Sequence, residues 1–104
     1  MATQTIEATD HKLLVAGERV ETGEWSEVRS PYDGTLVARV PKGDAALVDR
    51  AARAAHEAQV AGDFPQWQRA AVLDRAAEIV REREDELAAT ICAEAGKPIK
   101  TARV

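Results

Sequence analysis

The sequence predicts an α/β fold in which a short antiparallel β-meander is followed by an alanine-rich helix and then a long broken helix. Three features carry that expectation. Short β-branched runs punctuated by glycine and proline fill residues 12–41, the spacing of strands and tight turns. Behind Asp44, apolar residues at Leu47, Val48, Ala51, Ala52, Ala55 and Ala58 recur along one helical face. From Trp67 to Pro98 a second helical pattern runs through Leu73, Ala76, Ala77 and Val80 to Leu87, Ala88, Ile91 and Ala95.

Residues 1–11 are polar and without period, which predicts a disordered leader ahead of a single unit over 12–104. Lys12–Val15 and Glu18–Val20 form strand candidates around Ala16-Gly17. In that turn Gly17 supplies a positive φ and Ala16 is a poorer choice than Asn or Asp. Trp25–Ser30 is the next strand, and Pro31-Tyr32-Asp33-Gly34 has β-turn composition. Thr35–Val40 follows, with Leu36, Ala38 and Val40 alternating onto one face until Pro41 ends it. Asp44 is placed to cap the first helix, and Gly62 ends it. Pro65 suits an early position of the next helix.

The run Arg81-Glu82-Arg83-Glu84-Asp85-Glu86 contains no apolar residue, so the long pattern divides into helices over 66–83 and 85–95, with Asp85 available as a fresh cap. Gly96 fits a left-handed helix terminus and Pro98 blocks continuation. Ile99–Val104 then starts another helix without reaching a stop signal, which gives the expectation of a truncated chain.

Composition narrows the function classes. At 104 residues, with 45% hydrophobic and 31% charged residues, the chain has the content of one folded unit and not of a disordered one. Aromatics are only 4% and alanine dominates the apolar set, so a self-sufficient core is thin. A net charge of −4, with basic residues interleaved among acids, argues against nucleic acid. The single cysteine fits a reducing compartment. No apolar run has the length of a membrane span and no signal peptide is visible, so the expectation is a soluble cytoplasmic protein.

The candidate chemical groups have bland explanations. Cys92 lies near a helix C-terminus beside Ile91 and Glu94, neither of which favours a thiolate, and is read as a small packed residue. His11 and His56 have no second ligand at metal spacing. Arg81–Glu86 is a solvated helix face with internal ion pairs, and Trp25 and Trp67 are packing anchors at element ends. Gly34, Gly43, Gly62 and Gly96 serve turns and caps and belong to no phosphate-binding loop. The residues alone therefore assign no catalytic, cofactor-binding or metal-binding position.

In their order, the segments resemble the amino-terminal part of an aldehyde dehydrogenase, over roughly residues 13–104. The hairpin Leu14-Val15-Ala16-Gly17-Glu18 comes first, then Val28-Arg29-Ser30-Pro31-Tyr32-Asp33-Gly34, similar to the family's V-x-N-P-x-[TD]-G. Strand Leu36–Pro41 and the V-D-x-A-x-x-A-A pattern at Val48, Asp49, Ala51, Ala54 and Ala55 follow. Trp67, Arg69 with Leu73, Glu86-Leu87-Ala88 and Glu94-Ala95-Gly96-Lys97-Pro98 complete the series. Ser30 departs from the family's Asn and removes one side-chain hydrogen-bonding group near the turn.

The resemblance implies NAD(P)-dependent oxidation of a small aldehyde to a carboxylic acid. A cysteine thiolate forms a thiohemiacetal, hydride passes to the nicotinamide, and a glutamate-activated water hydrolyses the thioester. An asparagine and a backbone N–H stabilise the oxyanion. These groups belong to parts of the family beyond the matched segment, and Cys92 does not replace the nucleophile. The resemblance also implies a homo-oligomeric parent, and a structural monovalent cation held by carbonyls near Val28–Arg29 with an acid at Glu94. The wording around Ser30–Gly34 and Gly96–Lys100 leans towards lactaldehyde-like or phosphorylated substrates.

The expectation is an amino-terminal fragment of an NAD(P)-dependent aldehyde dehydrogenase, inactive alone and binding no cofactor itself. Two alternatives stand beside it. One is a small non-catalytic helical interaction or dimerisation module, and the other is a thiol enzyme using Cys92.

Overall fold

The computed structural model describes residues 7–103. Their elements are β1 (Thr9–Asp10), β2 (Leu13–Val15), β3 (Glu18–Val20), β4 (Trp25–Arg29) and β5 (Leu36–Pro41), then α1 (Ala45–Ala61), α2 (Gln66–Glu82), α3 (Glu84–Ala95) and α4 (Ile99–Ala102). Strands precede helices, as the hydrophobic periods predict.

The strands form two sheets and not one meander. β2 and β3 make a separate hairpin, in register Leu13↔Val20, Leu14↔Arg19 and Val15↔Glu18. Its turn has Ala16 at φ 52° and Gly17 at φ 80°, the two left-handed residues of a type I′ turn. The second sheet has the order β1-β5-β4, with β4 antiparallel and β1 parallel to β5. Thr9–Asp10 thus form a strand inside the stretch expected to be a loose leader, pairing with Ala38 and Arg39. Residues 1–6 of that leader lie outside the described residues.

β5 does not alternate as expected. The register passes from Val28↔Ala38 to Arg29↔Leu36, so Val37 is an extra residue, and Val37 and Ala38 are both buried. A bulge resets the period-2 pattern at that point, which alternation alone does not reveal. After β4 the chain turns with Ser30 N–H donating to the Thr35 carbonyl (2.9 Å) and Gly34 N–H donating to the Ser30 carbonyl (2.9 Å).

Helix limits follow their caps. Asp44 Oδ1 accepts the Leu47 N–H at 2.7 Å and starts α1, while Gly62 ends it in the left-handed region at φ 69°. The break between α2 and α3 falls at Arg83 (φ −105°, ψ 19°), whose N–H donates to the Ile79 carbonyl. Asp85 therefore lies in the first turn of α3 with Glu84 and Glu86 and is not its cap. Three acids there still favour the helix start electrostatically. Gly96 closes α3 at φ 66°, its N–H donating to the Cys92 carbonyl at 3.0 Å.

The core is small. Among the described residues it consists of Val15 in the hairpin, Val37 and Ala38 in β5, and Ala88 and Ala102 where α3 and α4 meet. Neither α1 nor α2 buries a single residue. The chain spreads over 50 × 35 × 17 Å with a radius of gyration of 17.2 Å. A compact domain of this length has about 13 Å. Its accessible surface is 8397 Å², against about 5,700 Å² for a globular protein of the same mass.

Candidate functional site

The chemical candidates are dispersed, and the structure brings none of them together. Cys92 sits half-buried in the last turn of α3 as a free thiol. His11 follows β1, is exposed, and places Nε2 2.7 Å from Thr9 Oγ1. His56 is exposed on α1, away from both. Among the described residues no group of three or more His, Cys, Asp or Glu is arranged to hold a metal ion. Among the described residues, an open dent of about 320 Å³ is lined by Glu21, Thr22, Asp44, Ala46, Leu47 and Arg50. Arg50 is already engaged there with Glu18 at 2.7 Å. Among the described residues no glycine-rich strand–helix turn of the dinucleotide-binding kind is present, and no cofactor step is assigned to them.

Two features are built with care. The first is the turn after β4. Asp33 Oδ1 accepts the Thr35 N–H at 3.0 Å, Arg29 Nη1 donates to the Gly34 carbonyl at 3.0 Å, and Ser30 Oγ accepts the Tyr32 N–H at 3.3 Å. The Thr35 N–H holds the Asp33 carboxyl below the ordinary aspartate range. Ser30 thereby supplies a hydrogen bond at the position where it departs from the family pattern. α3 lies against β4, so the strand carrying Val28 and Arg29 neighbours the helix carrying Glu94.

The second feature is apolar. α1, α2 and the loop between them expose Val48, Val60, Phe64, Trp67, Leu73 and Val80. Trp67 is 71% and Leu73 70% exposed, so Trp67 is not the packing anchor expected of it. Trp25 does pack, with the Arg39 guanidinium 5.2 Å above its ring. The Arg81–Glu86 run is exposed as predicted, with Arg83 paired to Glu86, and α1 carries a further pair, Arg53–Asp49 at 2.8 Å. Arg83 holds the Glu86 carboxyl below its ordinary range. The periodicity located the helical stripes, and among the described residues neither α1 nor α2 has a fully buried residue.

Comparison with known proteins gives the family. The sequence model of the Aldehyde dehydrogenase family matches residues 19–104. The chain belongs to the aldehyde dehydrogenase family and corresponds to a short amino-terminal part of it.

Among individual relatives, it is 39% identical over 100 residues to a 1-pyrroline-5-carboxylate dehydrogenase of Geobacillus, a match covering 89% of this chain and 18% of the relative. It is 43% identical over 77 residues to an aldehyde-dehydrogenase-like protein of Sinorhizobium fredii, covering 73% of this chain and 15% of that protein. The fold matches an NAD-dependent aldehyde dehydrogenase from Sinorhizobium meliloti with a TM-score of 0.85 at 28% identity, over 98% of this chain and 22% of that one. An NAD-dependent benzaldehyde dehydrogenase from Corynebacterium glutamicum matches at 0.80 and 32% identity, over 88% of this chain and 21% of the other. The chain thus spans under a quarter of the length of each of these relatives.

Proposed function

We propose that this chain is the amino-terminal section of a cytoplasmic, homo-oligomeric NAD(P)-dependent enzyme that oxidises a small aldehyde to a carboxylic acid through a cysteine thiohemiacetal. Its own contribution is structural. The helices α1 and α2 present an apolar face that covers the enzyme's cofactor-binding domain, and the reacting groups come from other parts of the polypeptide. The observation that carries this reading is the pair of 17-residue helices without one buried residue. The family membership and the NAD-dependent neighbours support the chemistry. The 104 residues alone bind no nucleotide and are inactive.

The test is the intact mass of the native protein captured with an antibody to the Asp44–Ala58 helix, followed by assay with NAD, NADP and an aldehyde panel. A mass several times 11.3 kDa with aldehyde-dependent cofactor reduction is expected. A native mass of 11.3 kDa would overturn the proposal and favour a helical interaction module. Turnover by the 104-residue chain that Cys92→Ser abolishes would move the chemistry into this chain.

A further inference from the structure

Helix α2 is divided into a water side and an apolar side, and the apolar side is unusually broad. At a turn of about 100° per residue, Asp74, Arg75, Glu78, Arg81 and Glu82 all fall within an arc of roughly 120°. Arg75 pairs there with Glu78 at 2.9 Å and with Glu82 at 3.6 Å, which marks that arc as the side that faces water. The division begins after the first turn, where Gln66 and Arg69 still stand on the apolar side.

The apolar side has two flanks. Val72 and Ile79 form one, Leu73, Ala77 and Val80 form the other, and Ala76 lies between them. Together they span about 160°, whereas a stripe of about 100° suffices for a helix laid on one core. Val72 and Leu73 are consecutive, so they point about 100° apart, and a flat neighbour centred on one leaves the other at its margin. Val72 is 55% and Leu73 70% exposed, so both flanks are open in this chain.

The chain itself does not enclose them. α2 buries no residue, and the element it meets most extensively is α3, the next in sequence. The relatives supply the room for other neighbours, since this chain spans under a quarter of their length. A second copy would meet this helix through the same patch on both partners and cover one flank per contact. We propose that α2 is enclosed on two sides, its Val72 flank and its Leu73 flank each packed on a different apolar element of the dehydrogenase polypeptide outside residues 1–104, with only the ion-paired arc left in water. The inference rests on the dehydrogenase reading above and adds to it the number and placement of the covering elements.

The test compares iodoacetamide labelling of Val72→Cys, Leu73→Cys and Asp74→Cys in the 104-residue chain and in the whole enzyme. Rates are read peptide by peptide by mass spectrometry, so native cysteines do not interfere. Asp74→Cys, on the water side, is expected to react equally in both proteins. Val72→Cys and Leu73→Cys are each expected to react at least about tenfold more slowly in the enzyme than in the chain. Hydroxyl-radical footprinting of the unsubstituted proteins, read at Val72 and Leu73, makes the same comparison without a substitution. Protection of one flank alone would overturn the proposal and leave the dehydrogenase reading standing. Protection of either flank that vanishes when the enzyme is diluted to monomers would assign that flank to a second copy and also overturn it. Both flanks reacting as in the chain, or a native mass of 11.3 kDa, would remove the covered helix and this inference together.

Discussion

The ring of Pro31 lies so close over Gly96 that a β-carbon on Gly96 would stand 2.9 Å from Pro31 Cγ. That contact joins the turn after β4 to the terminus of α3, two segments separated by most of the helical sequence. Gly96 also holds φ 66°, where a side chain is strained even in open space. Gly96→Ala is therefore expected to destabilise the chain by about 1–2 kcal/mol from backbone strain, plus a steric part. Pro31→Ala relieves only the steric part, so the double variant Pro31→Ala/Gly96→Ala loses less than the sum of the singles. Urea midpoints of the four proteins check this; strictly additive losses would mean that the ring and the glycine do not interact.

The caps give a contrast between two aspartates. Asp44 accepts the Leu47 N–H, so Asp44→Ala is expected to cost about 1 kcal/mol. Asp85 caps nothing and forms an exposed pair with Arg103 at 2.9 Å, so Asp85→Ala costs well under half as much. Thermal unfolding by circular dichroism separates the two.

The hairpin offers a gain instead of a loss. Ala16 stands at φ 52° with its side chain exposed, a conformation that Asn tolerates better. Ala16→Asn is expected to stabilise by about 0.5–1 kcal/mol, read as a higher urea midpoint. A lower midpoint would mean that the turn is not type I′.

These cases show what the sequence could reveal. Asp44, Gly62 and Gly96 act through their own backbone neighbours, so residue type and position were enough to place them. Val37 was misplaced because a bulge depends on the register of β4, which the β5 sequence does not contain. Thr9–Asp10 were missed because the Asp10–Arg39 pair joins residues 29 positions apart and leaves no local period. Trp67 was misjudged for a different reason: a tryptophan at a helix start looks the same whether its partner lies within the segment or outside it. The site's chemistry was legible only through the ordered motifs, since no local cluster of reactive groups exists among the described residues.

Acid should weaken the chain by two distinguishable routes. Asp33 and Glu86 have folded values held below their ordinary 3.8 and 4.5, by the Thr35 N–H and by Arg83 respectively. A lowered carboxylate value contributes stability that is fully present above the unfolded value. It is lost as pH falls through the folded value. Urea midpoints are thus expected to drop as pH falls below about 4, and Asp33→Asn or Glu86→Gln should each flatten that drop. Both groups are exposed, so the effects are modest. Salt weakens the Arg83–Glu86 part but scarcely touches Asp33, whose main partner is a backbone amide. Equal salt sensitivity in the two variants would contradict the assignment.

Val37 and Val80 provide the sharpest test of the helical face, because the same deletion should have very unequal consequences. Val37 is 6% exposed and Val80 55% exposed. Val37→Ala removes two buried methyl groups and is expected to cost about 2 kcal/mol. Val80→Ala removes the same atoms from a surface already in water and exchanges a β-branched residue for a better helix former. It is expected to change stability by less than about 0.5 kcal/mol, while reducing binding of an apolar dye to the chain. If the chain is part of a whole dehydrogenase, as proposed, the contrast should vanish there. If α2 is covered there, Val80 is buried too, and Val80→Ala should cost as much as Val37→Ala and lower the midpoint of the intact enzyme. A Val80→Ala enzyme as stable as its parent would show that the α2 face stays in water and that some other surface of this chain makes the contact.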